Sequence, residues 1–471
     1  MRFFSPIDLI VFPLCAFLCY RLLLAWMSKE KDLQVRQYCI RAFYFKLICV
    51  LAFALLTEFY FKGGDTSLYF QAAKDLRAAI KDNPENIQHI IERDRLTPTS
   101  PLFDYFYYDG FDQDITYGYM ISPPNYFPPK LALIPLMVFF GSYICINMCF
   151  AFFALAGSIR MYKFFLNYFP QLKRELALGC LFLPSVVYWS SGLLKDPITF
   201  GSVGFVLYGL YNLFEGKKIF GSLLSIIICG FFLYIMKVYI LLVLVLAVVV
   251  WKFTVISKKI QNSTLRSGFT FLAFAVALGI GFLLVQYFTS MEAGQEYQLD
   301  NLQGNIEHQQ EMYFNINQQL QGKDSHFTIN TGNPIAMVFG GLTATFYRPF
   351  PWEINTPIVL LSSLESTIFL LLTLFFILKR GLGKFFKTCF ADPIIITCFV
   401  FAFVFAVAVG VSTANFGALS RYKIPCMPFY MVLLILIYHK ANLAYPKWFN
   451  SVLDFVLPQR KVWRGARLAN N

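Results

Sequence analysis

The sequence predicts an all-α integral membrane protein with about eleven transmembrane helices, and three observations support this fold class. Of the 471 residues, 57% are hydrophobic and only 14% are charged, whereas soluble domains carry about 25% charged residues. Apolar runs close to the roughly 20 residues that cross a bilayer recur along the chain. The 54 Phe, 27 Tyr and 6 Trp suit aromatic belts at membrane surfaces. A disordered chain is excluded and a soluble enzyme is disfavoured.

Eleven mainly apolar runs are candidates for these spans. The spans run near 7–27, 40–61, 131–157, 175–194, 198–214, 219–236, 238–256, 268–288, 357–379, 391–412 and 425–439. The first run contains Arg21 and leads into a charged segment without an A-x-A site, so we expect no cleavable signal peptide.

The distribution of cations predicts the orientation. More than half of the 40 Lys and Arg residues lie in alternate connections, which include 28–41, 158–174, 252–267 and the tail from 440. The positive-inside rule places these connections in the cytoplasm, so the N-terminus is expected outside and the C-terminus inside. The formal charge of +13 is therefore a topology signal with attraction to anionic lipid, and no nucleic-acid partner is expected. A bacterial inner membrane is the expected location.

Residues 1–471 are expected to form a single polytopic domain with two long outer loops and a basic cytoplasmic tail. The first loop covers 62–130, the second 289–356, and the tail 440–471. Long loops on a rigid scaffold are common sites of function.

The first outer loop opens with two glycines and a carboxylate, Gly63-Gly64-Asp65. Apolar residues at helical spacing follow, which predicts an amphipathic helix on the membrane surface. Asp65 is expected at headgroup level, where it could accept a proton from an incoming hydroxyl. The alternative is that Asp65 or Thr66 caps the surface helix, and the two roles are compatible.

The rest of this loop is rich in tyrosine and aspartate, a composition that suits carbohydrate. Asp104 and Asp109 are candidates for a second acidic or acceptor-binding residue. Asp109, Asp112 and Asp114 offer oxygen ligands to a divalent cation, but their spacing is not that of an EF-hand, and a site without metal is the main expectation. The 4 His and the absence of a CxxC pair argue against zinc.

Several cations fall in the other outer connections. Lys195 and Asp196 precede Pro197, and the alternative to a phosphate-binding Lys195 is that it reaches for the interface while Asp196 caps a helix. Arg348 suits phosphate, with an Arg348–Glu353 ion pair as the alternative.

Two motifs resemble the GT-C superfamily, which are multi-spanning glycosyltransferases that use polyprenyl-phosphate sugars. The motifs are Gly-Gly-Asp-Thr-x-x-Tyr at 63–69 and Ser-Arg-Tyr-x-x-Pro-x-x-Pro-Phe at 420–429. The resemblance covers the entrance of the first loop and the last two helices. It implies that Asp65 acts as the base or orients the acceptor. It also implies that Arg421 and Tyr422 lie near the donor phosphate.

The sequence departs from this family in two ways. The acidic loop follows the second helix instead of the first, so an extra N-terminal helix must be assumed. The family often has a second acidic residue, for which Asp104, Asp109, Asp196 and Glu353 all remain candidates.

The leading hypothesis is a glycosyltransferase that moves a sugar from a polyprenyl-phosphate donor to a glycan, lipid or protein acceptor on the outer face. Asp65 would be the catalytic base, and Arg421, Tyr422, Lys195 and Arg348 would bind the donor phosphate. One alternative is an O-antigen-like polymerase or ligase that relies on arginines alone. Another is a transporter, which would need ionisable residues deep within its spans, and Glu365 is the candidate.

Overall fold

The computed structural model describes residues 3–107, 113–262, 327–329, 333–354, 356–413 and 415–458, with a few isolated positions between 263 and 311. Of the described residues, 80% are helical. The helices are α1 Asp8–Met27, α2 Leu33–Leu56, α3 Asp65–Asp82, α4 Asn86–Glu92, α5 Phe103–Tyr107, α6 Gln113–Met120, α7 Pro123–Val138, α8 Tyr143–Tyr168, α9 Lys173–Leu181, α10 Pro184–Trp189, α11 Lys195–Phe214, α12 Ile219–Ser257, α13 Pro334–Tyr347, α14 Pro357–Arg380, α15 Leu382–Cys389, α16 Pro393–Ser412, α17 Phe416–Tyr422, α18 Met427–Lys440 and α19 Lys447–Val456.

The described residues contain seven helices that are long and apolar enough to cross a membrane. The predicted all-α membrane fold is confirmed, but the predicted count of eleven spans is not. The helices α17 and α18 meet at 67° and form one further span if they are counted together. The span predicted near 268–288 lies outside the described residues.

Two predicted spans are divided by turns that the hydropathy pattern does not reveal. The run 131–157 contains a turn at Phe140 and Gly141, which both have positive φ, so α7 ends and α8 begins within it. The run 175–194 forms two short helices, α9 and α10, because the chain leaves helical geometry before Pro184. Both runs are apolar throughout, and apolarity alone does not show where a chain turns.

The helix α12 reverses direction at Lys237, whose backbone is not helical (φ −153°, ψ 72°). Ser222 packs against Gly209, and the ring of Trp251 lies 5.5 Å from that of Phe214. In a straight helix Ser222 and Trp251 would be about 44 Å apart, whereas Gly209 and Phe214 are separated by about 8 Å of α11. The two halves of α12 therefore run antiparallel, as the separate predictions for 219–236 and 238–256 require.

The helix α3 is buried, contrary to the prediction of an amphipathic helix on the membrane surface. Its side chains Tyr69, Ala72, Leu76 and Ala79 have no exposed surface. Helices α4 to α7 pack around it. The described residues of the 62–130 segment therefore form a helical cap over one end of the bundle, with α3 at its centre.

Candidate functional site

Asp65 begins α3 but does not cap it. The chain leaves α2 through one π-helical turn, and Gly64 then adopts φ +96°, so that α3 starts in a new direction. No side chain caps this helix; instead the Ser67 hydroxyl donates to the Gly64 carbonyl at 2.6 Å. The Asp65 carboxylate turns toward α17, where Arg421 Nη1 lies 2.5 Å from its Oδ2. The capping alternative for Asp65 is therefore wrong.

Asp196 lies in the first turn of α11 and is also not a helix cap. The N-cap position is Leu194, and its side chain cannot accept a hydrogen bond. The Asp196 side chain is only 1% exposed, and its two oxygens accept from Lys237 Nζ at 2.5 Å and from Arg421 Nε. A carboxylate in the first turn of a helix is also favoured by the helix dipole. Asp196 thus joins two cations instead of ending a helix.

Lys237 was not among the residues selected from the sequence. It is the only charged residue between Lys218 and Lys252, and the reversal of α12 places its ammonium group beside Asp196. A lone cation in a long apolar run indicates a buried partner. That signal was present in the sequence, but it could not name the partner, which lies on another helix.

Lys195 and three polar side chains of the helical cap border the same site. Lys195 Nζ donates to Asn125 Oδ1 at 2.7 Å. The hydroxyl of Tyr69 lies 3.4 Å from the same oxygen and 3.4 Å from the Tyr119 hydroxyl. Tyrosine and asparagine therefore line the side of the site that faces the cap. They are hydrogen-bonding groups of the kind that bind sugar hydroxyls.

We call Asp65, Lys195, Asp196, Lys237 and Arg421 the Arg421 cluster. Three cations face two carboxylates, so the cluster carries one excess positive charge. Four helices (α3, α11, α12 and α17) supply it, and Arg421 contacts both carboxylates. The ion pairs restrain four of these five side chains, since Asp65, Asp196, Lys237 and Arg421 each contact an opposite charge.

The electrostatics of the cluster favour an ionised Asp65. Burial of the carboxyl opposes ionisation, but the charge of Arg421, hydrogen bonds from Arg421 and Tyr119, and the charge of Lys195 outweigh it and lower the pKa of Asp65. A carboxylate with a lowered pKa is a weak base. Asp65 therefore accepts a proton poorly as long as Arg421 holds it.

The ring of Tyr422 packs against two of the cations, Lys237 and Arg421. Lys237 Nζ lies 4.8 Å and the Arg421 guanidinium carbon 5.8 Å from the ring centroid. The Tyr422 ring can stabilise both cations through cation–π interactions. In this structure Tyr422 supports Arg421 directly.

Arg348 forms the ion pair with Glu353 that the sequence offered as its alternative. Its Nη2 lies 2.5 Å and its Nε 3.0 Å from Glu353 Oε1. Its guanidinium carbon lies beside the stacked rings of Phe327 and Phe416, 4.7 Å and 5.0 Å from their centroids. Among the described contacts, none joins the Arg348 side chain to Asp65 or Arg421. Its placement with the donor-phosphate residues is therefore not supported, and neither is a separate acidic role for Glu353.

No family model, curated protein or solved structure matches this chain.

The acidic residues of the cap do not form a described site. Asp104 is exposed on α5, away from the buried face of that helix. Asp109, Asp112 and the side chain of Asp114 lie outside the described residues. Within the part of the chain that is described, no group of three His, Cys, Asp or Glu side chains could hold a metal ion.

Two further polar networks lie inside the bundle. Lys46, in the middle of α2, donates to the Val187 carbonyl at 3.1 Å and to Ser190 Oγ at 2.5 Å. It borders a small cavity of about 10 Å³. Lys46 is far from both ends of this apolar helix, because α2 and its π-helical turn extend from Leu33 to Phe61.

Glu365 is also buried, and it lies within the apolar helix α14. Its Oε1 accepts from the Ser185 backbone N–H at 2.7 Å, and its Oε2 from the Ser185 hydroxyl. Nearby, Lys423 donates to Ser366 Oγ and to the Arg348 carbonyl, both at 3.0 Å. This second network anchors α17 only two residues from Arg421.

Proposed function

We propose that this protein is a membrane glycosyltransferase that moves a sugar from a polyprenyl-phosphate donor to a hydroxyl-bearing acceptor. The single observation that carries the proposal is the Arg421 cluster. There, a partly exposed carboxylate lies against cations with an excess positive charge, under a cap of tyrosine and asparagine side chains. We further propose that this end of the bundle faces outward from a bacterial plasma membrane, with the N-terminus outside and the C-terminus in the cytoplasm.

In the reaction, the cations of the cluster would stabilise the leaving phosphate, and Asp65 would accept the proton of the acceptor. The bond between the sugar anomeric carbon and the donor phosphate oxygen breaks, and its electron pair stays on the phosphate. Arg421 and Lys195 would stabilise that developing charge. The acceptor oxygen forms the new bond to the anomeric carbon, and its proton passes to Asp65. Asp196 and Lys237 would hold Arg421 in position, which makes Asp196 a positioning residue.

The test is sugar transfer by the purified protein in proteoliposomes, with polyprenyl-phosphate sugars as donors. Asp65→Asn should lower the rate by roughly 10²–10⁴-fold, the usual contribution of a positioned base. Asp82→Asn is the matched control, because Asp82 is exposed at the other end of α3. Transfer that survives in a folded Asp65→Asn protein would contradict the role of Asp65 and favour a polymerase or ligase that relies on arginines.

A transporter is the second candidate, because the structure contains buried ionisable residues within its apolar helices. Lys46, Glu365 and Lys423 are each at most 4% exposed, and such residues within spans often mark ion or proton pathways. The cavity at Lys46 has room for about one water molecule. A cavity of this size suits the passage of protons and is too small for a larger solute.

The two candidates are separated by Lys46→Met and Glu365→Gln. A transferase should retain sugar transfer in any of these variants that folds, whereas a proton-coupled transporter should lose flux. The absence of sugar transfer from every polyprenyl-phosphate donor, together with pH-driven flux that either variant abolishes, would replace the first proposal by the second.

A further inference from the structure

The two carboxylates on Arg421 differ in how firmly they are held. The Asp196 side chain is 1% exposed and bonds to Lys237 as well as to Arg421. The Asp65 side chain is 32% exposed, and Arg421 is the only cation with which it forms an ion pair among the described residues. If Asp196 left Arg421, a buried ion pair would be broken, which is costly. If Asp65 left, its carboxylate would only become more hydrated. Asp65 is therefore the exchangeable partner.

The cluster is also prepared for a stronger anion than a carboxylate. Its excess positive charge includes Lys195, whose described hydrogen bond is to a neutral acceptor, Asn125 Oδ1. Lys195 is close enough to act on the Asp65 charge. A phosphate monoester carries about −1.5 to −2 charges at pH 7, more than the single charge of Asp65. A phosphodiester, such as a polyprenyl-phosphate sugar, carries one charge but still offers a guanidinium group strong paired hydrogen bonds. On Arg421 either group would meet both cations.

We propose that Asp65 is a displaceable partner of Arg421: a phosphate monoester or diester entering the cluster takes the place of the carboxylate on Arg421 Nη1 and releases it toward the cap. The role given to the released carboxylate rests on the proposed function, but the exchange itself does not. Once released from the guanidinium group, Asp65 regains the basicity that Arg421 suppresses. The base would thus become active only when the phosphate is bound.

The exchange makes a prediction that a merely structural ion pair would not. If Asp65 competes with phosphate for Arg421, removing its charge must tighten phosphate binding. We expect Asp65→Asn and Asp65→Ser to bind a sugar-free polyprenyl phosphate roughly fivefold more tightly than wild type, since the lost competitor is one partly exposed ion pair. Asp82→Asn should bind as wild type does. The measurement is calorimetric titration of the full chain in nanodiscs.

The choice of ligands identifies the source of the phosphate. Polyprenyl phosphate, inorganic phosphate and polyprenol are titrated in parallel. Tighter binding of both phosphates, but not of the alcohol, supports exchange at the headgroup. Tighter binding of inorganic phosphate alone supports a soluble phosphate as the ligand. Equal or weaker binding of every phosphate by the folded variants overturns the proposal.

A measurement on wild type covers the case in which both variants fail to fold. An infrared difference spectrum on adding polyprenyl phosphate should show a carboxylate band moving from the guanidinium-bound to the hydrated position, and no such band would reject the exchange. Sugar transfer is scored separately. If transfer requires Asp65 but binding is unchanged in its variants, the exchange fails and the transferase stands. If the Asp65 variants bind phosphate more tightly but wild type transfers no sugar, the exchange stands and the transferase proposal fails.

Discussion

The Asp65 carboxylate lies 2.5 Å from Nη1 of Arg421, although 356 positions separate the two residues in the chain. The contact joins the first turn of α3 to the last turn of α17. It ties the helical cap of 62–130 to the end of the bundle formed by α17. Substitutions at either residue should therefore alter both the stability of the cap and the chemistry of the site.

The buried pair of Asp196 and Lys237 should be strongly coupled. Asp196→Asn leaves Lys237 without its carboxylate and Arg421 with Asp65 alone, and it should destabilise the protein by roughly 3–5 kcal/mol. The double variant Asp196→Asn/Lys237→Met should lose less than the sum of the two single variants, because it removes the stranded cation. Thermal unfolding in detergent measures this coupling. Additive losses would mean that the pair does not interact in the folded protein.

Gly64 should tolerate no side chain, whereas its neighbour should. Gly64 has φ +96°, which L-residues rarely adopt, while Gly63 has no such angle, and a Cβ there would make only an ordinary contact with Ser67 Oγ at 3.9 Å. Gly64→Ala should cost about 1–3 kcal/mol of stability and displace Asp65 from Arg421. Gly63→Ala is the matched control and should change little. Equal melting temperatures for the two variants would show that the turn does not depend on this angle.

The contribution of Asp65 to stability should depend on pH in a defined direction. Its pKa is lowered by folding, so the stabilisation is complete above the ordinary carboxyl range near pH 4 and is lost as pH falls through the lowered value. The difference in melting temperature between wild type and Asp65→Asn should therefore stay constant from pH 8 to about 5 and shrink below about 4. A difference that grows on acidification would contradict the sign of the shift.

The helices α8 and α11 should not tolerate even one methyl group between them. A Cβ on Gly157 would lie 2.2 Å from the Gly201 carbonyl oxygen, and one on Gly204 would lie 2.0 Å from that of Gly157. Gly157→Ala and Gly204→Ala should each destabilise the protein by roughly 1–3 kcal/mol through overpacking. They should also move Lys195 and Asp196, because α11 carries both.

The control for the glycine contact is Gly230→Ala, since a Cβ there meets nothing within 4 Å. It should be neutral or slightly stabilising, because alanine favours a helix more than glycine does. Thermal unfolding of the three variants in the same detergent tests the contrast. Three equal melting temperatures would show that α8 and α11 are free to separate.

Part of the site could be selected from the sequence. Asp65, Lys195, Asp196 and Arg421 were chosen because they fall in the predicted outer connections, where a carboxylate facing cations suits transfer from a lipid phosphate. Another signal could have found Lys237, since it is the lone cation of a long apolar run. For Arg348 the sequence left two readings open, and the structure shows the ion pair with Glu353, five residues away.

The sequence by itself determined that the protein lies in a membrane and is helical there. Long apolar runs must lie in lipid and form helices there, because the backbone finds no other hydrogen-bonding partners, and this reasoning is local. The sequence also predicted separate spans on either side of Lys237, the residue at which α12 reverses direction.

Only the tertiary structure decided which charges meet. Asp65 and Asp196 both follow the local pattern of a helix cap, yet each turns to Arg421, since a guanidinium group brought close by packing outcompetes the few backbone N–H groups of a first turn. The helix α3 is likewise buried because α4 to α7 pack around it. Contacts between distant parts of a chain depend on how the helices pack, and that arrangement cannot be read from any single segment.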